Sequence, residues 1–373
     1  MPDRVTIAGA LAQRPGVGGH AAVFVQWLLG FRRLGWDVLF VDRLEPALDA
    51  RTQERWLAAV LGEAGLGGCW AALTASGETV GRRRADVLDH VRASELLVNV
   101  MGYLDDEELL AAAPRRVFLD LDPGFPQMWR SLGLHDAFAG HDDVVTVGTR
   151  VGQPGSAVPT CGLRWIPTLP PVDVGSWPVT DAPSRGAFTS IATWRGPFGP
   201  VDFGGRRYGL RVHEFRRFVD LPARSHERFE IALSIDAEDE ADRKALLAAG
   251  WHVADPREAA PDIAAYRAYV IRSAAELGVA KNMYVETRGG WFSDRSACYL
   301  AAGRPVLAQD TGFGKALPVG EGLLAFSSLD DAVAAVGEVV ARRARHAAAA
   351  RELAEAHLDA PRVVGALLGE LGG

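Results

Sequence analysis

Short apolar runs alternate along the chain with longer stretches in which apolar residues recur every three or four positions. Residues 4–11 are apolar and brief, as a buried parallel strand would be. A Gly/Pro-rich loop follows at 13–20, and 21–34 then shows helical periodicity, ended by Gly35. Residues 36–42 predict the next strand. Helices are predicted at 51–64 and 84–93, and strands at 96–101, 117–121 and 144–147. This alternation predicts a doubly wound α/β domain.

The stretch 152–183 breaks the pattern. It carries Pro154, Pro159, Pro167, Pro170, Pro171, Pro178 and Pro183, with Trp165 and Trp177 among them. Proline stiffens a connection and few residues here can sustain a helix, so an interdomain linker with flanking loops is expected. A long loop inside one domain is the alternative. The alternation then restarts. Strands are predicted at 187–193, 229–235, 251–254, 282–286, 305–309 and 323–326. Helices are predicted at 213–219, 241–249, 263–277, 293–302, 329–357 and 361–371. The expected division is therefore 1–165 as an N-terminal α/β domain and 166–185 as a Pro/Trp-rich linker. Residues 186–355 form a second α/β domain, and 356–373 a C-terminal helix able to pack back on the first. Paired α/β halves bind ligands in the cleft where the carboxyl ends of their strands meet.

Composition agrees with two domains and removes several classes. The 373 residues are 48% hydrophobic and 23% charged, which excludes a disordered, collagen-like or coiled-coil chain. A net charge of −7 argues against a nucleic-acid partner. No apolar run approaches the roughly 18 residues of a membrane helix. Cys69, Cys161 and Cys298 are too few and too scattered for a disulfide framework or structural zinc. The N-terminus has no long apolar signal region, so a cytoplasmic setting is expected. Only three lysines (Lys244, Lys281 and Lys315) stand against 37 arginines. Arginine thus carries little information here, and each lysine carries more.

Residues 291–326 read WFSDRSACYLAAGRPVLAQDTGFGKALPVGEGLLAF. A small-residue helix end, Ala301-Ala302-Gly303, precedes Pro305-Val306-Leu307. A polar Gly loop, Asp310-Thr311-Gly312-Phe313, follows, then Glu321-Gly322-Leu323-Leu324. This block resembles the donor half of GT-B glycosyltransferases. The N-terminal Gly-Gly loop, the segment Leu34-Gly35-Trp36-Asp37-Val38 and the tail 351–371 resemble that superfamily too. Many retaining members carry two glutamates with seven residues between them; the matching positions here are Gly290 and Cys298.

The resemblance implies two Rossmann-like domains facing each other across a cleft. It implies a metal-independent, hexosyltransferase-type glycosyltransferase whose co-substrate is a nucleotide diphospho-sugar, with no further cofactor. The C-terminal half would bind that donor and the N-terminal half a small-molecule acceptor, in a monomer or homodimer.

A departing diphosphate needs cations and helix N-termini. Ser293, Asp294, Arg295 and Ser296 open the predicted donor helix, with Ser293 suited to the N-cap and Asp294 to a ribose diol. Simple capping with a solvated arginine is the plainer account. Arg195, Lys281 and Arg288 lie on loops that would face the cleft, or are surface charges. Asp310, Thr311 and Gly312 form a loop placed for sugar hydroxyls, or a plain turn. Gly18 and Gly19 would let backbone approach a ligand.

His20 follows them and has the pKa range of a general base. Some inverting GT-B enzymes place their base histidine at this loop and orient it with an aspartate. Asp120 and Asp122, at a strand end, are the candidates for that role, which favours inversion. The alternatives are a cap or a phosphate ligand for His20, and a turn for the aspartates. Trp129, His135, His141 and Asp142 are weaker candidates for an acceptor pocket.

Three other readings remain open from sequence. A GT-B-like epimerase or hydrolase would share the donor site, and a non-catalytic partner would bind without turnover. Gly16-Val17-Gly18-Gly19-His20-Ala21 also matches the dinucleotide pattern of an NAD-dependent oxidoreductase, with Asp42 at the ribose position. Residues 11–15 intervene between strand and glycines, however, where that fingerprint requires none.

Overall fold

The computed structural model describes residues 2–180, 186–196 and 198–372. The first sheet is built from β1 (Arg4–Ala8), β2 (Asp37–Arg43), β3 (Trp70–Leu73), β4 (Thr79–Gly81), β5 (Leu96–Val100), β6 (Arg116–Asp120), β7 (Asp143–Thr146) and β8 (Trp165–Pro167). Their order is β4-β3-β2-β1-β5-β6-β7-β8, parallel throughout except for the β3–β4 pair. β1, β2 and β5 are almost wholly buried, which is why they read as continuous apolar runs.

The second sheet starts at β9 (Ala187–Thr193). A separate antiparallel hairpin, β10 (Val201–Phe203) and β11 (Arg206–Tyr208), follows it. The sheet continues with β12 (Arg228–Ser234), β13 (His252–Ala254), β14 (Ala275–Gly278), β15 (Val306–Gln309) and β16 (Leu323–Phe326). The order is β13-β12-β9-β14-β15-β16, and every pairing is parallel.

Several predicted elements move. The helix expected over 263–277 is Ile263–Arg272 followed by the central strand β14. The strand expected at 282–286 is the helix Asn282–Thr287, stopped where Arg288 turns left-handed at φ 48°. A short apolar run carries no period that separates these two states. The region 329–357 divides into helices Leu329–Ala341 and Arg343–Leu353 and a π-helical turn Ala354–Leu358. β3, β4, β8 and the hairpin are additional to the predicted elements, and Pro167 in β8 is tolerated because that strand is the sheet edge.

The strand order reverses beside β1 in one sheet and beside β9 in the other, so each half has a crevice at its strand carboxyl ends. The two crevices face one another. The final helix, Ala360–Gly372, crosses back onto the helix Gly18–Arg33 of the first half. A Cβ on Gly30 would lie 2.6 Å from Val364, so glycine sets that close approach. Arg33 clamps the crossover through two 3.1 Å bonds to Asp173. Further ties join the halves. Gly18 N donates to Ala260 O at 2.9 Å, Arg150 N to Gly289 O at 2.8 Å, and Ala157 N to Thr287 O at 2.7 Å.

Candidate active site

Between the two crevices lies a cavity of about 880 Å³. Its first wall comes from the loop after β1, one face of the helix Gly18–Arg33, and residues just beyond β5, β6 and β7. Its second comes from segments after β9, β12, β13 and β14, and from the start of the helix Asp294–Ala301.

On the second wall the Ser293 side chain accepts from Arg295 N at 3.2 Å and caps that helix. Asp294 is half-buried, and burial raises its carboxyl pKa against the pull of neighbouring Arg295. Arg295 itself is engaged. Its Nε lies 2.5 Å from Glu276 Oε1 and its Nη1 2.8 Å from Ile191 O. Burial opposes the Arg295 charge, but the fully buried Glu276 carboxylate overrides it and holds the guanidinium above its ordinary range. Arg195 is likewise paired, with two bonds of 2.6 and 2.5 Å to Asp239.

Arg211 differs from both. It lies on the cavity wall at 9% exposure, and its single hydrogen bond runs from Nη1 to Val279 O at 2.9 Å. Its buried Nε has no partner, and among the described residues no carboxylate is paired with it. Burial, reinforced by Arg295, pushes its pKa down to about 9. A buried cation in that state is costly until an anion joins it.

The walls meet at Asp122 and Lys281. Lys281 Nζ is 2.6 Å from Asp122 Oδ1, and the Tyr284 hydroxyl donates to the same oxygen. The ammonium also faces the rings of Phe125, Tyr284 and Phe198 at 5.0, 5.3 and 5.6 Å. Lys281 thus joins the halves in this state.

On the first wall His20 is half-buried, edge-on to Phe24, with Nε2 3.0 Å from Ala10 O. Burial depresses its pKa to about 4 despite that bond, so the ring is neutral near pH 7. A carbonyl oxygen only accepts, so Nε2 carries the proton and Nδ1 keeps its lone pair.

The expected orientation of His20 by Asp120 or Asp122 is not formed. Asp120 is wholly buried and accepts from Gln127 Nε2, Thr146 Oγ1 and Asp122 N at 2.7, 2.8 and 2.9 Å. Asp122 is held by Lys281 and Tyr284.

Of the other sequence candidates, Gly19, Arg195, Lys281, Ser293, Asp294 and Arg295 line the cavity. Gly18 is instead a packing glycine, since a Cβ there would lie 2.0 Å from Asp262 O. Arg288 and Asp310 pair with each other at 2.9 Å, and Thr311 Oγ1 donates to Trp291 O at 2.5 Å. Those three, with Gly312, Ser296 and Asp120, lie outside the cavity lining. Trp129, His135, His141 and Asp142 do as well. Trp129 packs on Phe198, His141 bonds Asn99, and Asp142 pairs with Arg116. Asp42 is buried and accepts from Ala12 N and Arg43 N, which closes it to a dinucleotide ribose. The sequence reading missed Arg211, Tyr284 and Tyr103, each of which lines the cavity. Arg211 carried no signal in a chain with 37 arginines.

This arrangement of crevices and crossover is that of known solved structures. The fold is GT-B. Over the full length of both chains, the structure is similar to an alpha-glucosyltransferase in complex with UDP and a 13-mer DNA, with TM-score 0.62 and 11% identity. It is similar to HepE of Anabaena in complex with UDP and glucose, with TM-score 0.59, 10% identity and 99% of each chain covered. It also resembles sucrose-phosphate synthase from Thermosynechococcus elongatus, with TM-score 0.55, 12% identity and 99% of each chain covered. No family model and no curated protein matches the GT-B chain.

Proposed function

We propose that the chain is a glycosyltransferase that takes a sugar from a nucleotide diphospho-sugar and passes it to a hydroxyl of a small-molecule acceptor. The observation that carries this reading is Arg211, a buried guanidinium with no ion-pair partner among the described residues, on the same cavity wall as a capped helix N-terminus. A diphosphate supplies the missing anion. Backbone N–H groups at the helix start add to the same field. The GT-B neighbours in complex with UDP, UDP-glucose or glucose support this choice of donor.

In the reaction the bond from the anomeric carbon to the phosphate oxygen breaks, and its electron pair leaves with the diphosphate. Arg211 and the helix N-terminus stabilise that charge, so protein groups take the role a metal has elsewhere. Asp294 is placed at the same helix start for a donor hydroxyl. The acceptor oxygen bonds to the anomeric carbon and its proton passes to Nδ1 of His20. The His20–aspartate pair that favoured inversion is absent, so the stereochemical course is read from the anomer of the first-formed product.

The test is titration calorimetry with UDP and UDP-glucose, followed by turnover with and without acceptor. UDP binding and acceptor-dependent release of UDP are expected. Donor consumption at the same rate without acceptor would make the protein a hydrolase or epimerase. Binding with no turnover on any acceptor would make it a partner protein.

A further inference from the structure

We propose that the first wall of the cavity seats an uncharged aromatic alcohol as the acceptor, an inference that rests on the transferase reading above. The helix Gly18–Arg33 presents Val23, Phe24 and Trp27 to the cavity beside His20, at the spacing that puts four residues on one helical face. Met101, Tyr103 and Leu121 continue this surface from beyond β5 and β6. All six belong to, or pack against, the hydrophobic core of the first half, so the surface is firmly backed.

The charges of this wall are spent or withheld. Asp122 is held by Lys281 and Tyr284, and His20 is neutral. Among the described residues the one unpaired ionic side chain on this wall is Arg14, exposed at the mouth. Apart from Gln13 and Arg14 on the loop after β1 and the second carboxylate oxygen of Asp122, two polar groups lie beside the apolar face. One is the Tyr103 hydroxyl, whose hydrogen-bond capacity no described residue takes up. The other is His20 Nδ1. Binding a nucleic acid calls for several phosphate-facing cations. A sugar chain calls for hydrogen-bonding groups matched to its many hydroxyls, because polar groups left unpaired on burial are costly. An apolar wall with few polar atoms fits a flat apolar body bearing one reactive hydroxyl. That hydroxyl oxygen bonds to the anomeric carbon and gives its proton to His20 Nδ1, as the diphosphate departs with the electron pair.

The test uses 2-naphthol as acceptor probe, titrated into the protein with and without UDP. Its variants are Val23→Arg and Leu121→Gln, chosen because each side chain is only partly buried. Saturable 2-naphthol binding is expected, weakened at least tenfold in either variant, with UDP affinity within about threefold of the parent. Retained UDP binding reports an intact fold, so either variant alone decides if the other does not fold. With UDP-glucose, naphthyl glucoside is expected, and glucose or an oligonucleotide bearing hydroxymethyl bases should yield none. Unchanged 2-naphthol binding in folded variants would overturn the proposal, as would glucosylation of the sugar or the oligonucleotide but not of 2-naphthol. If 2-naphthol binds in this variant-sensitive way but neither UDP nor UDP-glucose binds, the transferase reading fails instead. The acceptor role then falls with it.

Discussion

Lys281 Nζ lies 2.6 Å from Oδ1 of Asp122, and the two residues come from opposite halves of the molecule. The pair lines the cavity and sits within a ring of Phe125, Phe198 and Tyr284. It therefore ties the two walls of the cleft together. Asp122→Asn and Lys281→Met should each lower stability by about 1–3 kcal/mol, as expected for a charged hydrogen bond in a partly buried setting. The double variant should cost less than the sum. Thermal unfolding of the four proteins checks this. If the two changes simply add, the pair does not couple. UDP affinity adds a second reading. Equal losses in both single variants assign Lys281 to closure, while a loss in the Lys281 variant alone makes it a direct phosphate ligand.

Arg211 should show opposite effects on stability and binding. Arg211→Met removes a buried cation that makes no ion pair with a described acid, although Glu276, Asp122 and Asp294 act on it at longer range. The ligand-free protein should become more stable by about 1–3 kcal/mol, because the desolvation cost of the buried charge and its repulsion from Arg295 are removed with it. UDP should bind at least tenfold more weakly. Calorimetry and melting of the same preparation decide the matter. Unchanged UDP affinity would remove Arg211 from the donor site.

The same residue sets a pH dependence. Burial, with Arg295 adding to it, brings the pKa of Arg211 in the free protein down from its ordinary value to about 9. Above pH 9 the free protein loses that proton, whereas a bound diphosphate retains it. UDP affinity should therefore fall as pH rises through about 9, with proton uptake on binding. Stability of the free protein carries the opposite sign from this group. From about 9 up to the ordinary arginine value the unfolded chain binds more protons, so the contribution of Arg211 to stability rises with pH. Calorimetry in two buffers of different ionisation enthalpy measures the uptake. A flat affinity from pH 8 to 10 would exclude the assignment.

How much of this was legible in the sequence depends on what each residue's neighbours are. β1, β2, β5 and β9 were visible because a strand buried on both faces is dominated by apolar and β-branched residues. β14 was hidden because its Ala-Glu-Leu-Gly stretch holds no β-branched or aromatic residue and follows the helix after only Ser273 and Ala274. The block at 291–326 led to the GT-B fold and to the Ser293-capped helix on the cavity wall. Lysine rarity led to Lys281. What sequence could not show was pairing. Arg195 and Arg295 look like free cations until Asp239 and Glu276 appear beside them, and Arg211 looks ordinary until its partner proves absent.

Gly18 tests the interface itself. A Cβ there would lie 2.0 Å from the carbonyl oxygen of Asp262, a backbone atom that cannot swing aside. Gly18→Ala should force the helix Gly18–Arg33 away from residues 260–262 and cost about 1–3 kcal/mol of stability by overpacking. The 2.9 Å bond from Gly18 N to Ala260 O should be lost with it. Small-angle scattering should show a larger radius of gyration. An unchanged radius and melting temperature would mean that the interface adapts.

His20 separates chemistry from donor binding. Its Nε2–H is committed to Ala10 O, and its pKa near 4 keeps the ring neutral across the working range. Only Nδ1 is left to take the acceptor proton. Replacing His20 with Gln should therefore lower the transfer rate by about 10²- to 10⁴-fold, the span of a lost general base. UDP affinity should stay within about threefold, because the proposed diphosphate seat at Arg211 is on the opposite wall. The sign of the pKa shift yields a second check. A folded pKa below the free value of 6.5 means that the unfolded chain binds more protons between about 4 and 6.5. The contribution of His20 to stability should then fall as pH drops through that window, and the Gln variant should lose that part of the dependence. If UDP binding collapses in the variant while the protein stays folded, His20 belongs to the donor seat and the proton must go elsewhere.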